Sequence, residues 1–167
     1  MVRVAIISDT HIPSRASDIP GWVRQKVEEA DHVIHAGDFD SKEAYQHVQE
    51  LSDGLTAVYG NMDSRSLGLP KVATKRVEGV EFVVTHGTGS PHGYEDRVIN
   101  TVRENASDDA DRIVGVAGHT HKILDKEVGS YHLLNPGSAT GAWPATKVSM
   151  QTAVVDGSEI RVTTHEE

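Results

Sequence analysis

The 167-residue chain is long enough for one domain with a substantial core, and 37% apolar content with regular periodicity excludes a disordered polypeptide. Zero cysteines exclude disulfides and thiolate metal sites, so any bound metal needs oxygen and imidazole ligands. A formal charge of −9, from 25 acidic against 16 basic residues, works against a nucleic-acid surface, which takes clustered Lys and Arg.

The acidic excess fits adaptation to high salt or ordinary solubility, and charge alone does not separate the two. No stretch approaches the roughly 18 apolar residues of a membrane span. Met1-Val2-Arg3-Val4 enters a strand at once, so neither a signal peptide nor a membrane partner is expected, and the cytoplasm is the expected location.

Taken in order, residues 2–8 form a strand whose far end delivers Asp9 and His11. Asp18 is placed to cap a helix from Trp22 to Ala30, with Pro20-Gly21 at its entrance. His32 to Ala36 is a second strand ending in Gly37-Asp38. Ser41 caps a helix over Lys42 to Leu51, and Gly54 is read as its stop. Leu55 to Tyr59 is a third strand, ending in Gly60-Asn61-Met62-Asp63. Strand, helix, strand, helix, strand predicts parallel strands with right-handed crossovers.

After Pro70 the pattern changes. Val72–Val77 and Val80–Thr85 flank Glu78-Gly79, a two-residue hairpin signal, and the second strand delivers His86. A glycine-rich loop, Gly87 to Gly93, leads into a polar helix over Tyr94 to Ala106. The apolar run Arg112 to Ala117 then ends in Gly118-His119-Thr120-His121. Four further β-type segments follow, Ile123–Val128, Tyr131–Leu134, Lys147–Val155 and Glu159–Thr164. The chain is therefore α/β at the front and mostly antiparallel behind. A single domain spanning 1–167, with two sheets packed face to face and helices outside, fits this order.

Five strand ends supply Asp9, His11, Asp38, Asn61, His86, His119 and His121. Each element alone is an ordinary turn, except Gly118-His119-Thr120-His121, where two imidazoles two residues apart serve few structural purposes. In open α/β sheets, ligands bind outside the carboxyl ends of the strands, which would bring all seven side chains together. Seven donors are too many for one ion. With Asp38 as a bridge they divide into two sets of four, the arrangement of two-metal sites whose ions stand about 3.5–4 Å apart and clamp an in-line phosphoryl displacement. Manganese is the first expectation, with nickel, iron or zinc as alternatives that spacing does not separate.

These elements, D-x-H, G-D, G-N, His-Gly and G-H-x-H in that order, resemble the calcineurin-like metallophosphoesterases. Gly60-Asn61-Met62-Asp63 and Asn135-Pro136-Gly137-Ser138 are most similar to the small YfcE-type phosphodiesterases. The resemblance implies a four-layer α/β/β/α fold. It also implies that Asp9, His11, Asp38 and His121 hold one ion and Asp38, Asn61, His86 and His119 the second. The implied catalytic residues are Asp9, His11, Asp38, Asn61 and His119. The implied activity is that of a phosphodiesterase on a small phosphoester, using a dinuclear centre to activate water for in-line attack on phosphorus. The alternatives are a phosphomonoesterase or nucleotide pyrophosphatase on the same site, or a protein-binding scaffold of retromer-subunit type with vestigial activity.

Two positions depart from the family pattern. Met62 stands where many members carry a histidine thought to protonate the leaving group, and it has no proton to give. Thr88 stands where another histidine often follows His-Gly. Asp63 is expected to orient a neighbouring ligand. His35 is a candidate for the same supporting role, and Arg15 and Arg65 are the nearest candidates for a phosphate clamp. His92 is either a substrate contact or plain loop, while His32, His47, His132 and His165 read as ordinary surface or half-buried residues. Leu67 to Pro70 and Trp143-Pro144 are either buried loops or an apolar edge for a homo-oligomer.

Overall fold

A computed structural model describes residues 1–167. Strand β1 (Val2–Ile7) shows how its residues dictate the layers. Val4 and Ile6 enter a core cluster shared with the second sheet, while Ala5 and Ile7 face the helices on the opposite side. A strand buried on both faces reads as the continuous apolar run seen here. It pairs in parallel with β2 (His32–His35), and β2 pairs in parallel with β3 (Leu55–Ala57), as the strand–helix alternation predicts. On its other side β1 pairs antiparallel with β9 (Ser149–Asp156), which carries β10 (Glu159–Glu166) at the edge.

Five strands of the second sheet follow the change of pattern at Pro70. They are β4 (Val72–Val77), β5 (Val80–Thr85), β6 (Arg112–Val116), β7 (Leu124–Val128) and β8 (Tyr131–Asn135). Their spatial order is β4-β5-β6-β8-β7, with β5, β6 and β8 parallel and the two edge strands antiparallel. Both sheets are thus mixed. The β4–β5 turn places its left-handed residue at Glu78 (φ 52°) rather than at Gly79.

Helix α1 (Gly21–Glu29) buries Val23 and Val27, and α2 (Lys42–Leu51) buries Ala44 and Val48, each pair one turn apart on one face. Both cover the outer face of the first sheet. The α3 helix (Tyr94–Asn105) lays Tyr94, Val98, Ile99 and Val102 on the outer face of the second. Val4, Ile34, Phe82, Val84 and Val116 fill the space between the sheets. The expected four-layer α/β/β/α arrangement is therefore the one observed. No helix is long and apolar enough to cross a membrane.

Two helix boundaries differ from expectation. Pro20 precedes the first residue of α1 and no side chain caps it, because Asp18 instead accepts the Ile19 N–H and the Arg24 guanidinium. Ser52 ends α2 by turning extended, so Gly54 is not its stop. Ser41 does cap α2, its hydroxyl accepting the Ala44 N–H at 3.1 Å. A short 3₁₀ turn at Arg65–Leu67 carried no sequence signal.

Gly115 in β6 has no side chain because α3 passes directly over it. A Cβ there would lie 2.7 Å from Val102 and 2.9 Å from Leu133. Gly115→Ala is expected to destabilise the fold by about 1–3 kcal/mol, the usual cost of overpacking, as read from denaturant midpoints.

Candidate metal centre

Every donor of the candidate site follows its strand's carboxyl end within five residues. β1 ends at Ile7 and delivers Asp9 and His11; β2 ends at His35 and delivers Asp38. β3 leads to Asn61, β5 to His86, and β6 to His119 and His121. Asp9 and His11 lie beyond the end of the strand, as expected, where the chain has already turned. Asp9, His11, Asp38, Asp40, His119 and His121 all take left-handed backbone angles, with φ between 48° and 78°. Such angles cost a non-glycine residue on the order of 1 kcal/mol or more and persist only where surrounding structure enforces them. The enforcement is visible. Asp9 N–H donates to the Gly37 carbonyl and His11 N–H to the Asp38 carbonyl, both at 3.0 Å. Gly60 and Gly118 supply the clearance, because a Cβ on either would collide with Asp38 or with Ser8 and Asp9.

The imidazoles are oriented through their far nitrogens. His11 Nδ1 lies 3.0 Å from both oxygens of Asp40, His86 Nδ1 donates to the Ala36 carbonyl at 2.7 Å, and His121 Nδ1 donates to the Ala142 carbonyl at 2.9 Å. Each Nδ1 therefore carries the proton, and in the neutral rings each Nε2 presents a bare lone pair. The carboxylates are divided in the same way. Asp9 Oδ2 accepts from Ser8 Oγ and from the His119 N–H, and Asp38 Oδ1 accepts from the Met62 N–H.

What remains are acceptors facing acceptors. His11 Nε2 lies 3.3 Å from His121 Nε2 and 3.4 Å from Asp38 Oδ2. His86 Nε2 lies 3.1 Å from Asp38 Oδ2, and His121 Nε2 lies 3.3 Å from Asp9 Oδ1. Asp9 Oδ1 and His86 Nε2 are buried without a hydrogen-bond partner. Beside them, His119 Nε2 meets the Gly89 carbonyl at 2.9 Å while its Nδ1 faces Asn61 Oδ1 at 3.1 Å. The rings of His86 and His119 stand 5.2 Å apart. All seven predicted donors are thus gathered at one place. A set of inward-facing oxygen and nitrogen lone pairs without a donor fits divalent ions of the borderline class.

In the metal-free protein, protons supply the positive charge. Burial alone would lower the pKa of His11, but the hydrogen bond to Asp40 and the nearby carboxylates of Asp9 and Asp38 outweigh it and raise the value to about 9. Burial likewise disfavours charged His86, and Asp38 and Asp9 reverse that, raising it to about 8. Asp9 lies well below the usual carboxylate range, since His11, His121 and the charge of His86 overcome its burial.

Three supporting residues surround these donors. Asp63 accepts the backbone N–H groups of Asp38, Gly60 and Asp40, and so holds the turn that aims Asp38. His35 is fully buried, stacked 3.6 Å from Phe39, and accepts the Gly37 N–H; burial lowers its pKa to about 3, so it stays neutral. Asp40, the carboxylate partner of His11, was missed in the sequence because it sits beside the Ser41 cap and looks like part of a helix start. The further loop element contributes too. Ser138 Oγ donates to the Asp9 carbonyl, and Thr140 Oγ1 to the Thr10 carbonyl.

Of the arginines, Arg15 donates to the Trp143 carbonyl at 2.9 Å, and Arg65 lies in the 3₁₀ turn. Trp143 is 76% exposed and Met62 46% exposed, whereas Leu67 and Leu69 are half-buried. His32, His132 and His165 bond Thr56, Asp125 and Thr152 away from the site, the ordinary roles expected of them.

Two mixed sheets with helices outside, and a cluster of aspartate, asparagine and histidine at the carboxyl edge, define a fold of the metallophosphatase class. The chain belongs to the calcineurin-like phosphoesterase superfamily, whose family model matches residues 2–158. A protein of Methanothermobacter thermautotrophicus described as a probable metallophosphoesterase is 32% identical over 94% of this chain and 88% of its own. One from Methanocaldococcus jannaschii, named a phosphodiesterase, is 26% identical over 84% of this chain and 86% of its own. Among solved structures, wild-type Vps29 of Entamoeba histolytica complexed with zinc superposes with a TM-score of 0.80 at 26% identity, covering 99% of this chain and 98% of that one.

Two predictions follow from these contacts. Asp40→Asn keeps a residue tolerant of the left-handed backbone but removes the charge that orients His11. It is expected to weaken divalent-ion affinity about 10- to 100-fold in calorimetric titrations. Because His11 and His86 are raised from their ordinary 6.5, both are protonated near pH 7 in the metal-free protein. Loading with manganese is therefore expected to release about two protons per protein at pH 7, and apparent affinity should climb from pH 6 to 9. Titration in buffers of different ionisation enthalpy measures this directly.

Proposed function

We propose that the protein is a metal-dependent phosphodiesterase acting on small phosphoesters. The observation that carries this reading is the convergence of bare lone pairs from His11, His86, His121, Asp9 and Asp38, which only positive charge satisfies. Asp9, His11, Asp38 and His121 would hold one divalent ion, and Asp38, Asn61, His86 and His119 a second. Bound there, the ions would lower the pKa of water and neutralise charge on the phosphoryl oxygens. Support comes from the M. jannaschii relative named a phosphodiesterase and from the zinc in the E. histolytica structure.

The chain's own groups do the positioning. Asp40 and the carbonyls of Ala36 and Ala142 fix the ring planes. Asp63 fixes the Asp38 turn, and Ser138 and Thr140 tie down the backbone of Asp9 and Thr10. Met62 stands where a proton donor would serve a poor leaving group, so esters whose leaving groups need little protonation are favoured.

The likeness to Vps29 fits a second reading, a protein-binding scaffold on the same fold. Intact donors at all seven positions favour the enzyme. Metal-stripped protein titrated with manganese is expected to gain hydrolysis of bis(p-nitrophenyl) phosphate, and Asp38→Ala to stay at background. Stoichiometric metal binding with no hydrolysis under manganese, nickel or zinc would transfer the assignment to the scaffold.

A further inference from the structure

A pocket of about 640 Å³ opens beside the donor cluster, within the roughly 300–1,000 Å³ of small-molecule sites. His119 belongs to both. Its imidazole faces Asn61 on one side, and the residue lines the pocket on the other. The pocket lies between the first turn of α3 and the segment running from His119 into β7. Pro91, Ile123, Leu124 and Pro144 make its apolar wall. Its floor is firm, because the Tyr94 hydroxyl donates to the Gly118 carbonyl at 2.6 Å, tying α3 to the loop that carries His119.

Charge around the pocket discriminates further. The N-terminus of a helix would ordinarily attract a second phosphate, but the first turn of α3 carries Glu95 and Asp96. Glu95 is paired with Lys126 at 2.7 Å, and Lys122 is the one cation lining the pocket. With Glu95 taken by Lys126 and Asp96 offsetting Lys122 in number, the pocket carries no excess positive charge to hold another anion. An apolar wall, flanks without excess positive charge and direct continuity with the donor cluster together select an uncharged organic group attached to phosphorus.

We infer that this pocket is the subsite for one arm of a phosphodiester, and that the arm it takes is uncharged and apolar, as in an aryl ester. The inference rests on the phosphodiesterase reading and narrows its substrate class. It disfavours pyrophosphates and other substrates carrying charge beyond the scissile phosphorus.

Three phosphonate monoesters that differ only in the ester arm test it, as competitors in the initial rate of bis(p-nitrophenyl) phosphate hydrolysis by the manganese-loaded protein. The inhibition constant reads each arm whether or not the competitor is itself turned over. Phenyl methylphosphonate is expected to inhibit on the order of tenfold more tightly than methyl methylphosphonate, the scale of one apolar group in a fitted pocket. 4-Carboxyphenyl methylphosphonate should lose that advantage. Ile123→Asp, checked for folding by its thermal midpoint, should bring the phenyl and methyl inhibition constants together. Equal constants in the unaltered protein, or a ratio that survives Ile123→Asp, would overturn the assignment. If the protein hydrolyses no diester, the phosphodiesterase reading falls by itself. Saturation-transfer NMR on metal-free protein then decides the pocket: aryl protons of the phenyl compound saturate if the subsite exists, and their silence overturns it.

Discussion

Five electron-pair donors point at one another across distances of 3.1 to 3.8 Å, and the rest of the molecule is arranged to keep them there. Left to itself such an arrangement flies apart, because every atom in it is an acceptor. It holds because each donor group has its other end anchored. The anchors are three imidazole Nδ1 atoms on Asp40, Ala36 and Ala142, and carboxylate oxygens on Ser8, His119 and Met62. Protons relieve the repulsion in the free protein, and divalent ions do so in the reading advanced above. Strain belongs to the same design. Six left-handed non-glycine residues in one place each cost energy, and two apolar clusters of 14 buried residues flanking the first sheet offset it.

The division of labour between sheets follows from this. β1, β2 and β3 carry Asp9, His11, Asp38 and Asn61, while β5 and β6 carry the remaining imidazoles. Neither sheet holds a complete set. The inter-sheet core of Val4, Ile34, Phe82, Val84 and Val116 is therefore also the element that sets distances within the site. Backbone contacts extend it to the rim, where the Gly118 N–H donates to the His86 carbonyl at 3.1 Å.

Much of this was legible in the residues. Apolar runs ending in Gly37-Asp38, Gly60-Asn61 or Gly118-His119 announce a strand and its cargo together, since glycine is what lets a carboxylate or imidazole pass close to the backbone. Two buried faces on β1 explain why its run is continuous rather than alternating. Other features had no such signature. The carbonyls of Ala36 and Ala142 orient two rings, yet every residue has a carbonyl, and only the fold selects these two. Asp40 meets His11 across 29 residues of chain, a pairing no local pattern encodes. Asp18 looked like a cap but found a closer partner in Arg24, and Gly54 looked like a stop although Ser52 had already ended the helix. The sheet order, with β9 inserted beside β1, lay equally beyond reading from periodicity.

That insertion has a consequence for how the molecule comes into being. β1 lies between β2 and β9, so the strand that delivers Asp9 stays an open edge until residues 149–156 have been made. A ribosome emits the amino terminus first. During synthesis the two sheets can begin to collapse, but the strand supplying the most deeply buried carboxylate lacks one neighbour throughout. All seven donors are made by residue 121, yet the strand that aims the first of them is held on both sides only once β9 has arrived.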